Sequence, residues 1–105
     1  MRTVTMTITK PYLDLIYQGD KKTEYREDTP YYKKRLDPYP GIVYLHYRKA
    51  IYLKVWVKKI RLIKRPKKLF MSTYVTTDRC YAIDIERCKI LMSKESYDMD
   101  KKKYH

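Results

Sequence analysis

The sequence predicts an α+β domain of mainly β structure, a small mixed β-barrel of about five strands with two short helices. Three observations predict it: segments that alternate apolar and polar residues, start and stop signals for two early helices, and one long strand whose alternation changes phase. With 105 residues, the chain has room for one core. We place the domain at residues 1–92 and expect residues 93–105, which are polar and lack clear periodicity, to form a tail.

The N-terminal part of the chain predicts two strands, each followed by a short helix. Residues 3–9 alternate between apolar side chains and threonines, which is typical of a half-buried strand. Pro11 suits the first turn of a helix, and Gly19 is placed to end it. Residues 22–26 form the second strand, and the sequence Asp-Thr-Pro before residues 31–36 predicts a capped second helix.

Three longer strands are predicted next, over residues 42–48, 51–62 and 81–91, whereas residues 70–77 are ambiguous. In the middle strand the alternation changes phase at Lys58–Lys59. One extra residue there would return all its apolar side chains to one face, which is the pattern of a β-bulge. These apolar residues are Ile51, Leu53, Val55, Val57, Ile60 and Leu62.

The charge distribution indicates a polyanionic partner. The formal net charge is +13, well beyond what solubility requires of a small domain. Acidic residues stop at Asp37 and resume at Asp78, whereas ordinary solvated surfaces mix both signs. We therefore expect RNA or another polyanion to bind the stretch between them. Its cations are Arg48, Lys49, Lys54, Lys58, Lys59, Arg61, Lys64, Arg65, Lys67 and Lys68.

The long strand also places aromatic rings between these cations. Its outward face carries Tyr52, Lys54, Trp56 and Lys58. Cations can hold phosphates while rings stack on bases, which is how many proteins bind single-stranded nucleic acid. The alternative for Trp56 is that it packs against a helix or against the C-terminal segment.

Other partners and cofactors are disfavoured. No apolar run approaches the ~20 residues of a membrane-spanning helix, and the N-terminus lacks the apolar block of a signal peptide. We therefore expect no membrane contact and a cytoplasmic protein, of cellular or viral origin. Cys80 and Cys88 lie too far apart along one strand for a disulfide, and His46 and His105 do not complete a zinc site with them. The sequence predicts no metal and no cofactor.

The segment from Gly19 to Arg26 has the pattern G-x-K-x-x-E-x-R. It resembles the signature of the ASCH family, a branch of the PUA-like superfold. The Lys-Pro-Tyr helix start before it, the aromatic-rich helix after it and the strand at residues 80–85 are similar to family elements, so the resemblance covers roughly residues 3–91. The resemblance implies a PUA-like barrel with a cleft beside the motif, and binding of RNA.

The resemblance also implies an enzymatic alternative. One branch of the family deacylates N4-acetylcytidine with a motif lysine, a threonine shortly after it and a distant glutamate. Lys21 matches the lysine, but Glu24 stands where that branch has threonine, and the distant acid has no counterpart between Asp37 and Asp78. We therefore lean towards no enzymatic activity. A hydrolase of RNA or modified nucleosides, or a ribonuclease, would use Lys21 and Glu24 as its catalytic residues.

Lys21, Glu24 and Arg26 together can form a recognition pocket. A carboxylate acceptor and a fork of guanidinium donors recognise the edge of a base, and a lysine holds a phosphate. The alternative is that Glu24 and Arg26 form a structural ion pair that closes the barrel. Three functions remain open: an RNA-binding module, a hydrolase, and a basic structural component of a ribonucleoprotein or viral assembly.

Overall fold

The computed structural model describes residues 1–67 and 75–104. The strands are β1 (Thr3–Thr7), β2 (Thr23–Glu27), β3 (Ile42–Tyr47), β4 (Ile51–Lys64) and β5 (Arg79–Leu91). The helices are α1 (Lys10–Gln18), α2 (Pro30–Leu36) and α3 (Lys94–Lys101), and a 3-10 turn over Lys102–Tyr104 follows α3. None of these helices is long and apolar enough to cross a membrane. Most of the ambiguous segment 70–77 lies outside the described residues.

The strands form one mixed sheet in the order β1-β3-β4-β5-β2, which curls into a half-barrel. β1 runs parallel to β3, and the other neighbouring strands are antiparallel. The predicted α+β, mainly β fold class with about five strands is confirmed. Because β1 and β2 are the two edge strands, the open side of the half-barrel lies between them.

The two N-terminal helices begin and end where the sequence predicts. Gly19 ends α1 with a φ of 86°, a left-handed conformation that glycine adopts without a Cβ clash. The Thr29 hydroxyl accepts a hydrogen bond from the backbone N–H of Tyr32 at 3.3 Å and caps α2. These two signals fix the ends of the segment that contains β2.

A β-bulge bends β4 at the predicted place. The pairing of β4 with β5 shifts register on both sides of Val57 and leaves out Lys58. As a result, Val57 and Ile60 both pack against the main core. The bulge is therefore confirmed, but Leu62, which was predicted on the same buried face, is 41% exposed. Bulges bend strands, so this residue insertion helps the sheet to curl.

The C-terminal segment, predicted to be a polar tail, instead forms α3. The Ser93 hydroxyl accepts a hydrogen bond from the Ser96 N–H at 3.1 Å and caps the helix. Tyr97 and Asp100 are buried between α3 and the sheet. The prediction that residues 93–105 form a tail is therefore wrong. The buried side chains of Tyr97 and Asp100 hold a third, mostly polar helix against the sheet.

The sheet consequently has a core on each face. The main core lies inside the half-barrel and includes Met6, Leu13, Leu45, Leu53 and Ile83. A smaller core lies between the sheet and α3 and consists of Ile42, Tyr44, Tyr52, Leu91 and Tyr97. β3 is therefore buried on both faces, whereas the sequence predicts a single buried face.

Tyr97→Ala should lower the free energy of unfolding by about 3–5 kcal/mol, the usual cost of removing a buried aromatic ring. The Tyr97 ring stacks on Tyr52 at 4.1 Å and meets Tyr44 edge-on at 5.1 Å. Urea denaturation measures the change. Met99→Ala on the same helix, where the side chain is 69% exposed, is the control and should change the free energy by under about 0.5 kcal/mol. Equal effects would contradict the docking of α3.

Candidate functional site

Lys21, Glu24 and Arg26 come together in one buried ion cluster. Backbone N–H groups of Asp20 and Lys21 donate to the carbonyl of Leu15, which folds the chain back after α1 towards β2. The Lys21 Nζ donates to Glu24 Oε1, and the Arg26 Nη2 donates to Glu24 Oε2 at 2.8 Å. Lys21 and Glu24 are 5% and 6% exposed, so water screens their attraction only weakly.

Arg26 also joins the two edges of the half-barrel. Its Nη2 donates to the carbonyl oxygen of Thr7, at the end of β1, at 2.8 Å. Its Nη1 donates to the Tyr32 hydroxyl on α2 at 3.2 Å. A single guanidinium on β2 therefore contacts β1 and α2, and Glu24 fixes its position. The barrel-closing contact that the sequence left open as an alternative is present.

Glu24 and Arg26 are both charged at neutral pH. Burial alone would raise the pKa of Glu24, but the nearby Arg26 and Lys21 charges outweigh it and hold that pKa below its ordinary value of 4.5. Burial opposes the charge of Arg26, yet Glu24 raises the Arg26 pKa above its ordinary value. Glu24 is thus a carboxylate whose two oxygens already accept hydrogen bonds, which makes it a weak general base.

A cleft of about 630 Å³ lies beside this cluster, at the open side of the half-barrel. Thr7 contributes from β1, Tyr12 from α1, Glu24 and Arg26 from β2, and Tyr32 from α2. Small-molecule sites commonly occupy about 300–1,000 Å³ and combine apolar walls with a few fixed polar groups. Tyrosine walls around a fixed carboxylate and guanidinium match that description.

The outward face of β4 is not the open aromatic surface that the sequence predicts. Tyr52 and Lys54 lie under α3 and are 2% and 4% exposed. The Tyr52 ring stacks on Tyr97, and the Lys54 Nζ lies 2.8 Å from Asp100 Oδ2. Assigning Tyr52 and Lys54 to an interface with nucleic acid is therefore wrong while α3 is docked. The error follows from treating the segment that forms α3 as a tail.

Trp56 follows the alternative that the sequence left open. It is half-buried and packs against the smaller core beneath α3. The Lys54 Nζ lies 4.6 Å from the centre of the Trp56 ring, and the centre of the Arg87 guanidinium lies 3.8 Å from the same point. Both cations are close enough for cation–π attraction. Its ring is therefore part of the packing of α3 rather than a free stacking surface.

The second half of β4 and the loop after it keep exposed cations. Acidic residues of β5 lie beside some of them: Arg61 Nε and Nη2 bind Asp84 at 2.9 and 3.0 Å. Arg65 Nη1 donates to the carbonyl of Val75, a residue that lines the cleft, at 3.0 Å. This surface is thus less uniformly basic than the sequence suggests, although one end reaches the cleft. Its exposed members are Lys58, Lys59, Arg61, Lys64, Arg65 and Lys67, whereas Lys68 lies outside the described residues.

Arg48 and Lys49 form the tight turn between β3 and β4. Their φ values are 52° and 56°, in the left-handed region that Asn and Gly prefer in such turns. The Ala50 N–H donates to the Tyr47 carbonyl at 3.1 Å and closes the turn. The register with β1 places this end of β3 beside Thr7, which lines the cleft. Two exposed cations are therefore held in a strained backbone at the end of the sheet that carries the cleft.

Sequence reasoning missed Tyr12 and Tyr32 as cleft residues, and Asp100 as the partner of Lys54. The spacing of Tyr97, Asp100 and Tyr104 places all three on one helical face, and this period could have revealed α3. No comparable signal marks the cleft tyrosines, because the chain has 13 tyrosines spread along its length.

Comparisons with protein-family models, with curated proteins and with solved structures found no match for this chain. The resemblance of residues 19–26 to the ASCH signature therefore depends on those residues and on the order of the elements around them.

Glu24→Gln should lower the free energy of unfolding by about 3–5 kcal/mol, because it leaves Lys21 and Arg26 buried without a counter-ion. Since the folded-state pKa of Glu24 lies below 4.5, the carboxylate stabilises the protein fully above about pH 4.5. This stabilisation disappears as the pH falls through the lowered pKa of Glu24. The free energies of unfolding of the unchanged protein and of Glu24→Gln should then converge.

Chemical denaturation of both proteins across the acidic and neutral range measures this difference. Glu86→Gln, at an exposed position of β5, is the control and should have little effect at any pH. A deficit for Glu24→Gln that stays constant below pH 4.5 into strong acid would contradict the ion cluster.

Proposed function

We propose that this protein is an RNA-binding module of the ASCH/PUA-like kind that holds one base in the cleft between β1 and β2. The observation that carries the proposal is the cleft itself: tyrosines on two helices flank a Glu24–Arg26 pair whose charges are fixed at neutral pH. A net charge of +13 supports a polyanion as the partner of the surface around it.

A nucleobase suits the cleft better than an aliphatic ligand does. Bases stack on tyrosine rings with little dependence on sequence, and each stacked base contributes about 1–3 kcal/mol. Arg26 presents planar N–H donors, and Glu24 Oε2 accepts one hydrogen bond, from Arg26, and has a second lone pair. The cleft therefore offers both a donor and an acceptor to the edge of a base. Recognition of unstacked bases in this way is typical of single-stranded RNA rather than of duplexes.

Exposed cations near the cleft can hold the phosphates of the same strand. Arg65 is tied to the cleft wall through Val75, and the Arg48–Lys49 turn lies at the cleft end of β3. Such contacts add affinity without recognising sequence. The position of the cleft beside residues 19–26 agrees with what the ASCH resemblance implies and supports the same proposal.

The hydrolase alternative has less support. A carboxylate base needs a pKa close to neutral, whereas the charges of Arg26 and Lys21 outweigh burial and hold the pKa of Glu24 below its ordinary value. Docking into a ribonucleoprotein through the basic surface would leave the free protein with weak and indiscriminate RNA binding, so a loss of RNA affinity on substitution of a cleft tyrosine distinguishes base recognition from docking.

Tyr12→Leu should weaken binding of a fluorescently labelled single-stranded RNA by about five- to tenfold, because leucine fills space in the core but offers no ring for a base. Fluorescence anisotropy at several salt concentrations measures the affinity, and the log–log salt slope of the unchanged protein should be several units. Tyr17→Leu is the matched control on the same helix, outside the cleft and 52% exposed, and should stay within about twofold.

A flat salt dependence, or equal losses from the two tyrosine variants, would contradict base recognition in the cleft. Release of product from RNA or N4-acetylcytidine that Lys21→Ala abolishes would instead support the hydrolase.

The double substitution Arg48→Asn and Lys49→Gly in the strained turn should raise stability and weaken RNA binding. Asn-Gly suits a turn with positive φ at both positions, so the free energy of unfolding should rise by about 1 kcal/mol. Loss of two cations should reduce the salt slope of RNA binding by about two and weaken binding at low salt. Urea denaturation and anisotropy measure the two effects, and stronger RNA binding by this variant would contradict a role for the turn.

A further inference from the structure

Helix α2 carries an exposed aromatic–guanidinium stack that the cleft does not include. The Tyr31 side chain is 54% exposed, and the Arg35 guanidinium lies 3.6 Å from the centre of its ring. Arg35 Nη1 also donates to the Tyr31 carbonyl at 3.2 Å, which holds the guanidinium over the ring. We call Tyr31 and Arg35 the α2 platform.

The α2 platform is continuous with the wall of the cleft. The Tyr31 and Tyr32 rings meet edge to face, with centres 5.0 Å apart and planes at 85°. Tyr32 lines the cleft, and its hydroxyl accepts a hydrogen bond from Arg26. Tyr31 therefore lies directly beside a ring of the cleft wall, within reach of a strand that leaves the cleft past Tyr32.

The C-terminal end of α2, beside the platform, is hydrogen-bonded to the N-terminal segment and positively charged. Arg2 donates from Nη2 to the Lys34 carbonyl at 2.7 Å and from Nη1 to the Arg35 carbonyl at 2.6 Å, and it also contacts the Pro38 carbonyl. These contacts hold the C-terminal end of α2 and add a cation there. The exposed Lys34 lies on the same helix, and α2 contains no acidic residue.

We infer that the α2 platform binds the nucleotide next to the base held in the cleft, so that the RNA strand passes from the cleft over Tyr31. This inference rests on the proposed function and identifies the path of the strand. A base can stack on the exposed tyrosine ring or on the guanidinium plane, both of which are common partners of unpaired RNA bases. Lys34 then lies close to the phosphate that joins the two nucleotides. The platform suits a single strand because a duplex would not expose a base to it.

Tyr31→Ala and Arg35→Ala, each measured against single-stranded RNA of about eight nucleotides, test the inference. Tyr31→Ala should weaken binding about five- to tenfold, and Arg35→Ala should also reduce the log–log salt slope by about one. Tyr39→Ala is the matched control, since that tyrosine is 56% exposed and lies outside the cleft and the platform. Lys102→Ala removes an exposed charge on the far C-terminal turn and controls for loss of net charge.

The outcomes separate this inference from the proposed function. If the unchanged protein does not bind the RNA, both are overturned. If Tyr12→Leu weakens binding but Tyr31→Ala and Tyr39→Ala behave alike, the cleft stands and the platform is overturned. If Arg35→Ala and Lys102→Ala lower the salt slope equally, Arg35 acts only through net charge, which also overturns the platform. Thermal unfolding of each variant confirms that the fold is retained.

Discussion

The shape of the candidate site depends on the hydrogen bond from the Arg26 guanidinium to Thr7. A half-barrel leaves its two edge strands without partners, and such edges readily pair with other chains. Arg26 spans this opening with a charge-assisted hydrogen bond to Thr7, while Glu24 holds the guanidinium in place and Lys21 occupies the second carboxylate oxygen. Each charge in the cluster has a partner of opposite sign, and this pairing offsets the cost of burying the charges. The Arg26–Thr7 contact therefore joins the two edge strands beside the cleft and places charged groups on its wall.

A second buried carboxylate supports the opposite face of the sheet. Asp100 on α3 accepts hydrogen bonds from Lys54 and from the Tyr44 hydroxyl, the latter at 2.6 Å. Burial alone would raise the pKa of Asp100, but these two donors hold it below its ordinary value. Together with the stacked Tyr97, this contact keeps a largely polar helix against β4. It also removes Tyr52 and Lys54, in the first half of β4, from solvent.

The parts of the fold that depend on local signals could be predicted from the sequence. Gly19 and the Thr29 cap act through their own backbone neighbours, and the phase change near Lys58 records the bulge directly. The only local signals for α3 are a cap at Ser93 and the helical spacing of Tyr97 and Asp100, and its stability depends on contacts with distant residues of β3 and β4. The Lys21–Glu24–Arg26 cluster follows from short spacing, but its link to Thr7 depends on how the sheet curls. The positions of the cleft tyrosines Tyr12 and Tyr32 also depend on how the sheet curls, and no local sequence signal specifies that curl.

Stability alone does not account for where the cations lie. A turn with two positive φ values is best served by Asn-Gly, yet Arg48 and Lys49 occupy it. Arg2 and Arg35 add charge at α2, where no carboxylate offsets them within the helix. By contrast, Arg61 on β4 is paired with Asp84, as expected of an ordinary surface. The turn and the C-terminal end of α2 therefore carry cations that neither the turn geometry nor a carboxylate within the helix calls for, and a bound polyanion would offset their mutual repulsion.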